Sequence, residues 1–262
     1  MNTDAENQAS VLADTTIQRF SKRLSGALIR PADDRYDDAR SVWNGMIDKH
    51  PAAIAQCAGV ADVVASVHLA RKHDLPVAVR GGGHNVAGTA ICGGALVIDL
   101  SEMNGVRVNP EAQTARAEAG ATWADLDRET QVFGLATPGG VVSTTGIAGL
   151  TLGGGIGWLR RKHGLSIDNL VSVDVVTADG QFRTASTDQN ENLFWGLRGG
   201  EGTFGVVTSF EYELHPVGPE VMFVGAMYPL DTAHEVLPAW RDFMTNALED
   251  VSSQGGFWEV SI

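Results

Sequence analysis

The chain has 262 residues and carries 19 Lys and Arg against 32 Asp and Glu, which gives a formal charge of -13. Because duplex DNA and anionic membranes are bound through clustered cations, this acidity argues against both and favours a small-molecule partner. Apolar residues make up 44% and charged residues 19%, which is the balance of a globular chain with one sizeable core or two smaller ones.

Cysteine usage and the N-terminus indicate the cellular compartment. Cys57 and Cys92 are too few for a disulfide framework and are not spaced as CxxC, which suits a reducing environment. The polar, acidic start of the chain is unlike a secretory signal, and no run of about 18 apolar residues could span a bilayer. We therefore expect a soluble cytoplasmic protein without a disulfide.

Apolar periodicity and capping residues predict the helices of the main unit. Residues 61–73 show helical spacing and are followed by Pro76, which ends the helix. Thr122, with Asp125 three residues later, predicts the capped start of a second helix. A short third helix is expected at 192–197.

Short apolar runs bounded by turn residues predict the strands. They lie at Val77–Arg80, Leu96–Asp99, 106–108, 114–118, 171–178 and 206–214. The first of these is expected to be buried. After the fifth, the turn Asp179-Gly180 returns the chain along 181–185, which predicts a β-hairpin.

Pro216 and Pro219 predict a boundary, after which the chain forms a smaller unit. Its predicted elements are an amphipathic helix at 231–247 and a strand at 257–262. The apolar side chains expected to face inward from the helix are Val236, Leu237, Trp240, Phe243 and Met244. The unit is too short for an independent core, so it either belongs to a longer protein or packs on the first domain.

Glycine is the unusual component, at 31 residues, and it is concentrated within 81–94, 134–164 and 196–205. No fixed period links these clusters, which excludes collagen-like and solenoid repeats. Glycine is needed where backbone adopts positive φ or approaches another group closely. Three such loops therefore predict a ligand that is held mainly by main chain.

The motif RGGGHN follows a predicted strand. Its consecutive glycines expose successive amides that can hold a phosphate or pyrophosphate without a lysine. A run of glycines alone more often forms a surface loop, but His84 and Asn85 directly after it favour a binding site.

The stretch 137–158 is the second candidate. Gly146 and Gly149 lie three residues apart on a predicted helical turn that Ser143 and Thr144 are expected to cap. Residues 153–155 are glycines that offer a further backbone surface. Each glycine inside a helix costs about 0.5 to 1 kcal/mol relative to alanine, which argues against a purely structural helix.

Other motifs are absent or in the wrong context. A GxGxxG match at 200–205 follows a helix and enters a strand, which reverses the order that a Rossmann fold requires. Walker A, GxSxG and HExxH motifs do not occur, so no metal site or serine nucleophile is predicted. Trp123, Trp158 and Trp195 are expected to pack in the protein, not to stack on nucleic acid.

The segments RGGGHNVAG, PGGVVSTTGIAGLTLGGGIGWL, KHGLSIDNL and LFWGLRGGEGTFGVVTSFEYEL resemble flavoprotein oxidases of the vanillyl alcohol oxidase or p-cresol methylhydroxylase type, in the berberine-bridge-like branch. The resemblance covers about residues 43–216. It implies an α+β fold in which two subdomains clasp an extended FAD. The chain then divides into an N-terminal segment 1–42, an FAD-binding domain 43–217 and an incomplete substrate domain 218–262.

The resemblance also implies the site. His84 matches the histidine that often joins the flavin 8-methyl carbon covalently. Val142 stands where some relatives have a second linking cysteine, so one link is expected and Cys57 and Cys92 are left as buried structural thiols. Thr145 matches a position beside the oxygen-reactive face of the flavin. The implied FAD contacts are Arg80, Gly81, Gly82, Gly83, His84, Asn85, Gly139, Ser143, Thr144, Thr145, Gly146, Gly149, Gly153, Gly154, Gly155, Gly157, Asn169 and Val206.

The implied reaction is hydride transfer to FAD from a C–H bond beside an alcohol or amine group, on a small alcohol, sugar or amine. Dioxygen then reoxidises the flavin and gives hydrogen peroxide. In this family the catalytic base comes from a region beyond residue 262, so no base is assigned. The alternatives are a dehydrogenase that uses another electron acceptor and a flavin-binding module without turnover. The oligomeric state is left open.

Overall fold

The computed structural model describes residues 14–218 and 220–257. Helices and strands alternate through the first half, and longer strands dominate the second half. The helices are α1 (Asp14–Ser21), α2 (Tyr36–Arg40), α3 (Val60–His73), α4 (Trp123–Thr130), α5 (Ile147–Leu152), α6 (Arg160–His163), α7 (Glu191–Leu197) and α8 (Ala233–Asn246). The strands are β1 (Ala27–Ile29), β2 (Ala53–Gln56), β3 (Val77–Arg80), β4 (Leu96–Asp99), β5 (Val106–Asn109), β6 (Thr114–Glu118), β7 (Leu135–Ala136), β8 (Leu170–Val176), β9 (Phe182–Ser186), β10 (Val206–Glu213) and β11 (His215–Pro216).

The first sheet has the strand order β1-β2-β4-β3, in which β2 and β3 run parallel to β4 and β1 is antiparallel to β2. Helix α3 crosses between β2 and β3 and buries Val63, Val67 and Ala70, as its helical spacing predicts. The prediction that β3 is buried is wrong, since Val77 is 44% and Val79 36% exposed. Strand β3 lies at the sheet edge, where a single neighbouring strand covers it.

The second sheet is fully antiparallel, with the order β5-β6-β10-β8-β9. The predicted hairpin is confirmed: β8 pairs with β9 around the turn Asp179-Gly180, where Gly180 has φ +80°. The predicted helix start is confirmed as well, because Thr122 and Asp125 form a reciprocal capping box at the start of α4.

One buried apolar cluster joins the two sheets. It includes Ala55 and Ile98 from the first sheet and Ala117, Val173 and Phe210 from the second. The expected α+β fold with two subdomains is therefore confirmed, with the subdomains packed on a shared core. Strand β1 lies in the segment 1–42 that the sequence sets apart and pairs with β2, while the domain boundaries stay predictions.

The prediction that the last helix turns its apolar side chains inward is wrong. Helix α8 forms close to the expected range, but Leu237, Trp240 and Phe243 are 42%, 40% and 59% exposed. Val236 and Met244 are half-buried. Within the described residues no other element covers this face, so the side chains remain in contact with solvent. Of the predicted strand 257–262, residues 258–262 lie outside the described part of the chain.

The unit around α8 is attached to α6 through arginine side chains. The guanidinium of Arg161 donates to the carbonyls of Ala247 (3.0 Å) and Val251 (2.8 Å). Arg160 donates in the same way to the carbonyl of Ser253 at 3.0 Å. These contacts are polar, and the unit adds little to the apolar core.

Two expectations about cysteine and tryptophan are only partly met. Both cysteines are free, and Cys57 is buried, but Cys92 is exposed, because it lies in the loop before β4 and not in a packed element. Trp123 is 1% exposed, whereas Trp158 and Trp195 are 45% and 79% exposed. Both therefore lie on the surface and are not packing residues.

In the part of the chain that the structure describes, no helix combines the length and apolar character needed to cross a membrane.

Candidate functional site

The RGGGHN loop leaves the first sheet at the end of its edge strand. Arg80 is the last residue of β3 and pairs in register with Asp99 at the end of β4. Ligands of α/β sheets bind beyond the carboxyl ends of parallel strands, which is where this loop begins. Gly83 adopts φ +68°, and its carbonyl accepts a hydrogen bond from the amide of Trp43 at 3.1 Å. The loop is thereby fixed against the chain that precedes β2.

The backbones of Gly82 and Gly146 are in direct contact. A Cβ atom on Gly82 would lie 2.4 Å from the nitrogen and 2.6 Å from the Cα of Gly146, and one on Gly146 would lie 2.4 Å from the nitrogen of Gly82. Only glycine at both positions allows this approach. A Cβ on the adjacent Gly81 would lie 3.5 Å from that of Ala148. The two glycine-rich stretches, which are distant in sequence, therefore form one surface.

This surface carries backbone amides that have no internal acceptor. Among the described residues, none accepts a hydrogen bond from the amides of residues 81–85, of 139–144 or of 155–159. Consecutive unpaired amides form anion-binding concavities in proteins. Because the Gly82–Gly146 contact joins the first two runs, their donors can converge on one anionic group such as a pyrophosphate.

The Arg80 side chain lies beneath this loop. One guanidinium nitrogen donates to the carbonyl of Ala39, while the buried Nε has no partner among the described residues. The Nε lies 3.5 Å from the position of a Cβ on Gly83. Burial raises the pKa of Asp99, and the neighbouring Arg80 cation and the Ser101 amide oppose that rise. A buried donor without a partner is available for a ligand acceptor at the loop.

His84 is half-buried, and its imidazole lies against the ring of Trp43. The ring centroids are 5.6 Å apart and the planes differ by 18°, which is a stacked arrangement. No described residue forms a hydrogen bond with the His84 imidazole. The next residue, Asn85, is exposed, and its side-chain oxygen accepts from the amide of Thr89 at 3.3 Å.

The start of α5 differs from the prediction. Ser143 and Thr144 do not cap the helix: the N-cap is Gly146, which has no side-chain cap bond, and both hydroxyl residues are exposed. The cause is a backbone pairing, since the carbonyls of Thr145 and Ser143 accept from the amides of Trp123 (3.0 Å) and of Ala124 (2.9 Å). This pairing holds the stretch against the start of α4 and begins the helix later.

Some of the predicted site glycines are needed for packing. A Cβ on Gly139 would lie 2.5 Å from the Trp123 ring, and one on Gly157 would lie 1.6 Å from the carbonyl oxygen of Gly139. A Cβ on Gly155 would lie 2.3 Å from the Ser166 hydroxyl. These glycines allow the second stretch to fold tightly on itself.

Other glycines of the same stretch border open space. A Cβ on Gly149 would have no atom within 4 Å, and those on Gly153 and Gly154 would have their nearest neighbours at 3.4 Å and 3.8 Å. Gly154 has φ +116°, which side chains rarely adopt. This part of the surface has room for a ligand.

Two buried polar atoms that the sequence does not single out lie beside this stretch. Trp123 Nε1 and Thr137 Oγ1 are buried and have no partner among the described residues, and the two residues are 1% and 3% exposed. A Cβ on Gly140 would lie 3.1 Å from Trp123 Nε1. Buried polar groups are nearly always hydrogen-bonded, so these atoms indicate where a bound molecule or water completes the structure. The position of Thr137 directly before PGG was the available sequence signal.

Asn169 and Val206 are engaged within the protein. The Asn169 amide nitrogen donates to the carbonyls of His163 (2.9 Å) and Leu165 (2.8 Å), and its oxygen lies 2.6 Å from Nε2 of His215. The His163 and His215 rings stack at 3.8 Å, and burial, with a contribution from His215, lowers the pKa of His163. The Val206 side chain is buried at the start of β10. Cofactor contacts of these two residues stay predictions.

The Gly82–Gly146 contact brings runs of unpartnered backbone amides together, and buried donors without partners, Arg80 Nε and Trp123 Nε1, lie beside them. Such a set of hydrogen-bond donors fits a polyanionic dinucleotide. The fold and the site together define a dinucleotide-binding domain of the flavoprotein type. The chain belongs to the FAD binding domain family, whose model matches residues 51–186. This confirms the family that the glycine-rich motifs indicate.

Several relatives match most of this chain. The FAD-linked oxidoreductase pgmH of Aspergillus terreus is 38% identical over 218 residues, which are 82% of this chain and 44% of the relative. The crystal structure of 6-hydroxy-D-nicotine oxidase from Arthrobacter nicotinovorans superimposes with a TM-score of 0.80 at 35% identity, over 84% of this chain and 49% of that one. The Physcomitrella patens protein BBE-like 1 gives a TM-score of 0.71 at 30% identity, over 76% and 44%. The chain thus spans about half the length of the relatives that it matches.

Proposed function

We propose that the chain is the FAD-holding part of an oxidase that takes hydride from a small alcohol, sugar or amine and passes the electrons to dioxygen. The observation that carries this proposal is the Gly82–Gly146 contact, which brings two runs of unpartnered amides together. The resemblance to 6-hydroxy-D-nicotine oxidase supports the reaction class. When bound, FAD supplies the two-electron chemistry that the protein side chains lack.

The residues of the chain hold and orient the cofactor. The amides of residues 81–85 and 139–144 would donate to the pyrophosphate oxygens of FAD, and the glycines at 149, 153 and 154 leave room beside them. Arg80 Nε and Trp123 Nε1 supply further buried donors. His84 would supply the imidazole nitrogen for a covalent link to the flavin, and the loop would hold it in place for that reaction.

A second candidate is a flavin-binding domain without turnover. Peroxide production by the purified chain with any alcohol, sugar or amine excludes this candidate.

A dehydrogenase with another electron acceptor is the alternative within enzymes. The polar Thr145 beside the predicted oxygen-reactive face of the flavin favours the dehydrogenase.

An absorption spectrum before and after acid precipitation tests the flavin proposal. We expect the purified protein to be yellow, with the colour retained in the precipitate. In the His84→Ala variant the colour should remain in the native protein and pass to the supernatant on precipitation. A colourless protein that does not respond to added FAD would exclude the proposal. Colour that washes off the wild type would exclude the covalent link alone.

Reoxidation of the reduced flavin separates oxidase from dehydrogenase. The protein is reduced chemically in a stopped-flow instrument and mixed with either air-saturated buffer or a quinone. An oxidase returns to the oxidised spectrum in air. Indifference to air with rapid reaction with the quinone identifies the dehydrogenase.

A further inference from the structure

Trp43 is an exposed aromatic residue with well-defined contacts. Its side chain is 65% exposed, so its burial contributes little to the core. Its amide nevertheless donates to the carbonyl of Gly83 at 3.1 Å, and the side chain of the following Asn44 donates to the carbonyl of Val86 at 2.8 Å. The segment 43–44 therefore holds the glycine loop on both sides of His84.

The Trp43 ring is the contact that orients the His84 imidazole. The two rings stack at 5.6 Å with an angle of 18°, and no described residue offers that imidazole a hydrogen bond. A histidine side chain turns about two dihedral angles, and without a hydrogen bond the stacking partner determines the plane of the ring. Offset stacking of this kind has a preferred geometry and a favourable energy.

We propose that Trp43 is a positioning residue for covalent flavin attachment. It holds the His84 ring in the orientation from which an imidazole nitrogen reaches the flavin methyl carbon. This rests on the proposed function. The link replaces the imidazole N–H and one methyl C–H by a C–N bond. Both hydrogens and one electron pair pass to the flavin ring, and dioxygen then removes them as hydrogen peroxide. Stacking lowers the conformational cost of this step and leaves its chemistry unchanged.

The test compares the rate of linking with the amount of flavin bound. The chain is produced under riboflavin limitation and incubated with FAD. Total bound flavin is measured by absorbance after gel filtration, and linked flavin by absorbance of the acid precipitate over time. The variants are Trp43→Ala, Trp43→Phe and the control Trp195→Ala, which removes an indole that is 79% exposed on α7.

We expect Trp43→Ala to link flavin about 2 to 10 times more slowly, the range that a stacking pair provides. Total bound FAD should stay within about twofold of wild type, since the stack is not part of the amide surface. Trp43→Phe should restore most of the rate because it keeps a flat ring, and Trp195→Ala should match wild type.

Five results would overturn the inference or the proposal on which it rests. If Trp43→Ala links flavin at the wild-type rate, or loses linked and total flavin in equal proportion, Trp43 has no positioning role. Equal loss in Trp43→Phe would also refute orientation by a flat ring. Wild-type protein that binds FAD without linking it refutes the His84 link, and wild-type protein that binds no FAD refutes the proposed function itself.

Discussion

Replacing Gly82 with alanine tests the contact between the two glycine-rich stretches. The added Cβ would lie 2.4 Å from the nitrogen of Gly146, and ordinary contact begins at 3.4 Å, so the backbones must separate by about 1 Å. Both contacting atoms of Gly146 are backbone atoms and cannot rotate away. Overpacking of this kind costs about 1 to 3 kcal/mol. If separating the loops also disperses the amide donors, the dissociation constant for FAD rises by about 5- to 150-fold.

The assay measures two quantities for this variant and for a matched control. Urea unfolding without FAD gives the free energy of unfolding, and quenching of flavin fluorescence gives the dissociation constant. The control is Gly202→Ala, because Gly202 is exposed, has φ -84°, which alanine also adopts, and has no atom within 4 Å of an added Cβ. The control should change stability by about 0.5 kcal/mol or less. Wild-type stability and FAD affinity in Gly82→Ala would refute the reasoning.

Three further outcomes are expected. Thr122→Ala removes the capping box and should lower the free energy of unfolding by about 1 kcal/mol in urea titrations. Hydrogen bonds from the Thr177 hydroxyl and nearby amide and guanidinium groups lower the pKa of Asp179 from 3.8 to about 2. The free energy of unfolding that this carboxylate contributes is therefore present above its unfolded pKa and is lost as pH falls from about 4 to about 2. The unfolding midpoints of wild type and Asp179→Asn should converge over that interval. Burial raises the pKa of Cys57 to about 12, so a thiol reagent should label Cys92 in the native protein and Cys57 only after unfolding.

Local signals in the sequence predicted much of the fold. The capping box of α4 and the hairpin at Asp179-Gly180 follow from residues a few positions apart, and both occur as predicted. Helix α8 was also predicted in its place, but its burial was not. An amphipathic pattern indicates that a helix has an apolar face and carries no information on which element covers that face.

The site depends on contacts between distant parts of the chain. Glycine content indicated that backbone approaches something closely, but not that Gly82 and Gly146 approach each other. The Trp43–His84 stack and the unpartnered Thr137 hydroxyl were missed for the same reason. These features arise when distant parts of the chain pack together, and no local periodicity encodes them.

Hydrogen–deuterium exchange with and without FAD tests the central claim most directly, because it reports on the backbone amides themselves. Without FAD, the amides of residues 81–85 and 139–144 have no acceptor among the described residues and should exchange rapidly. We predict that FAD slows exchange in both runs together, while the β5–β6 hairpin stays unchanged. FAD binding that protects one run alone, or neither, would contradict the account.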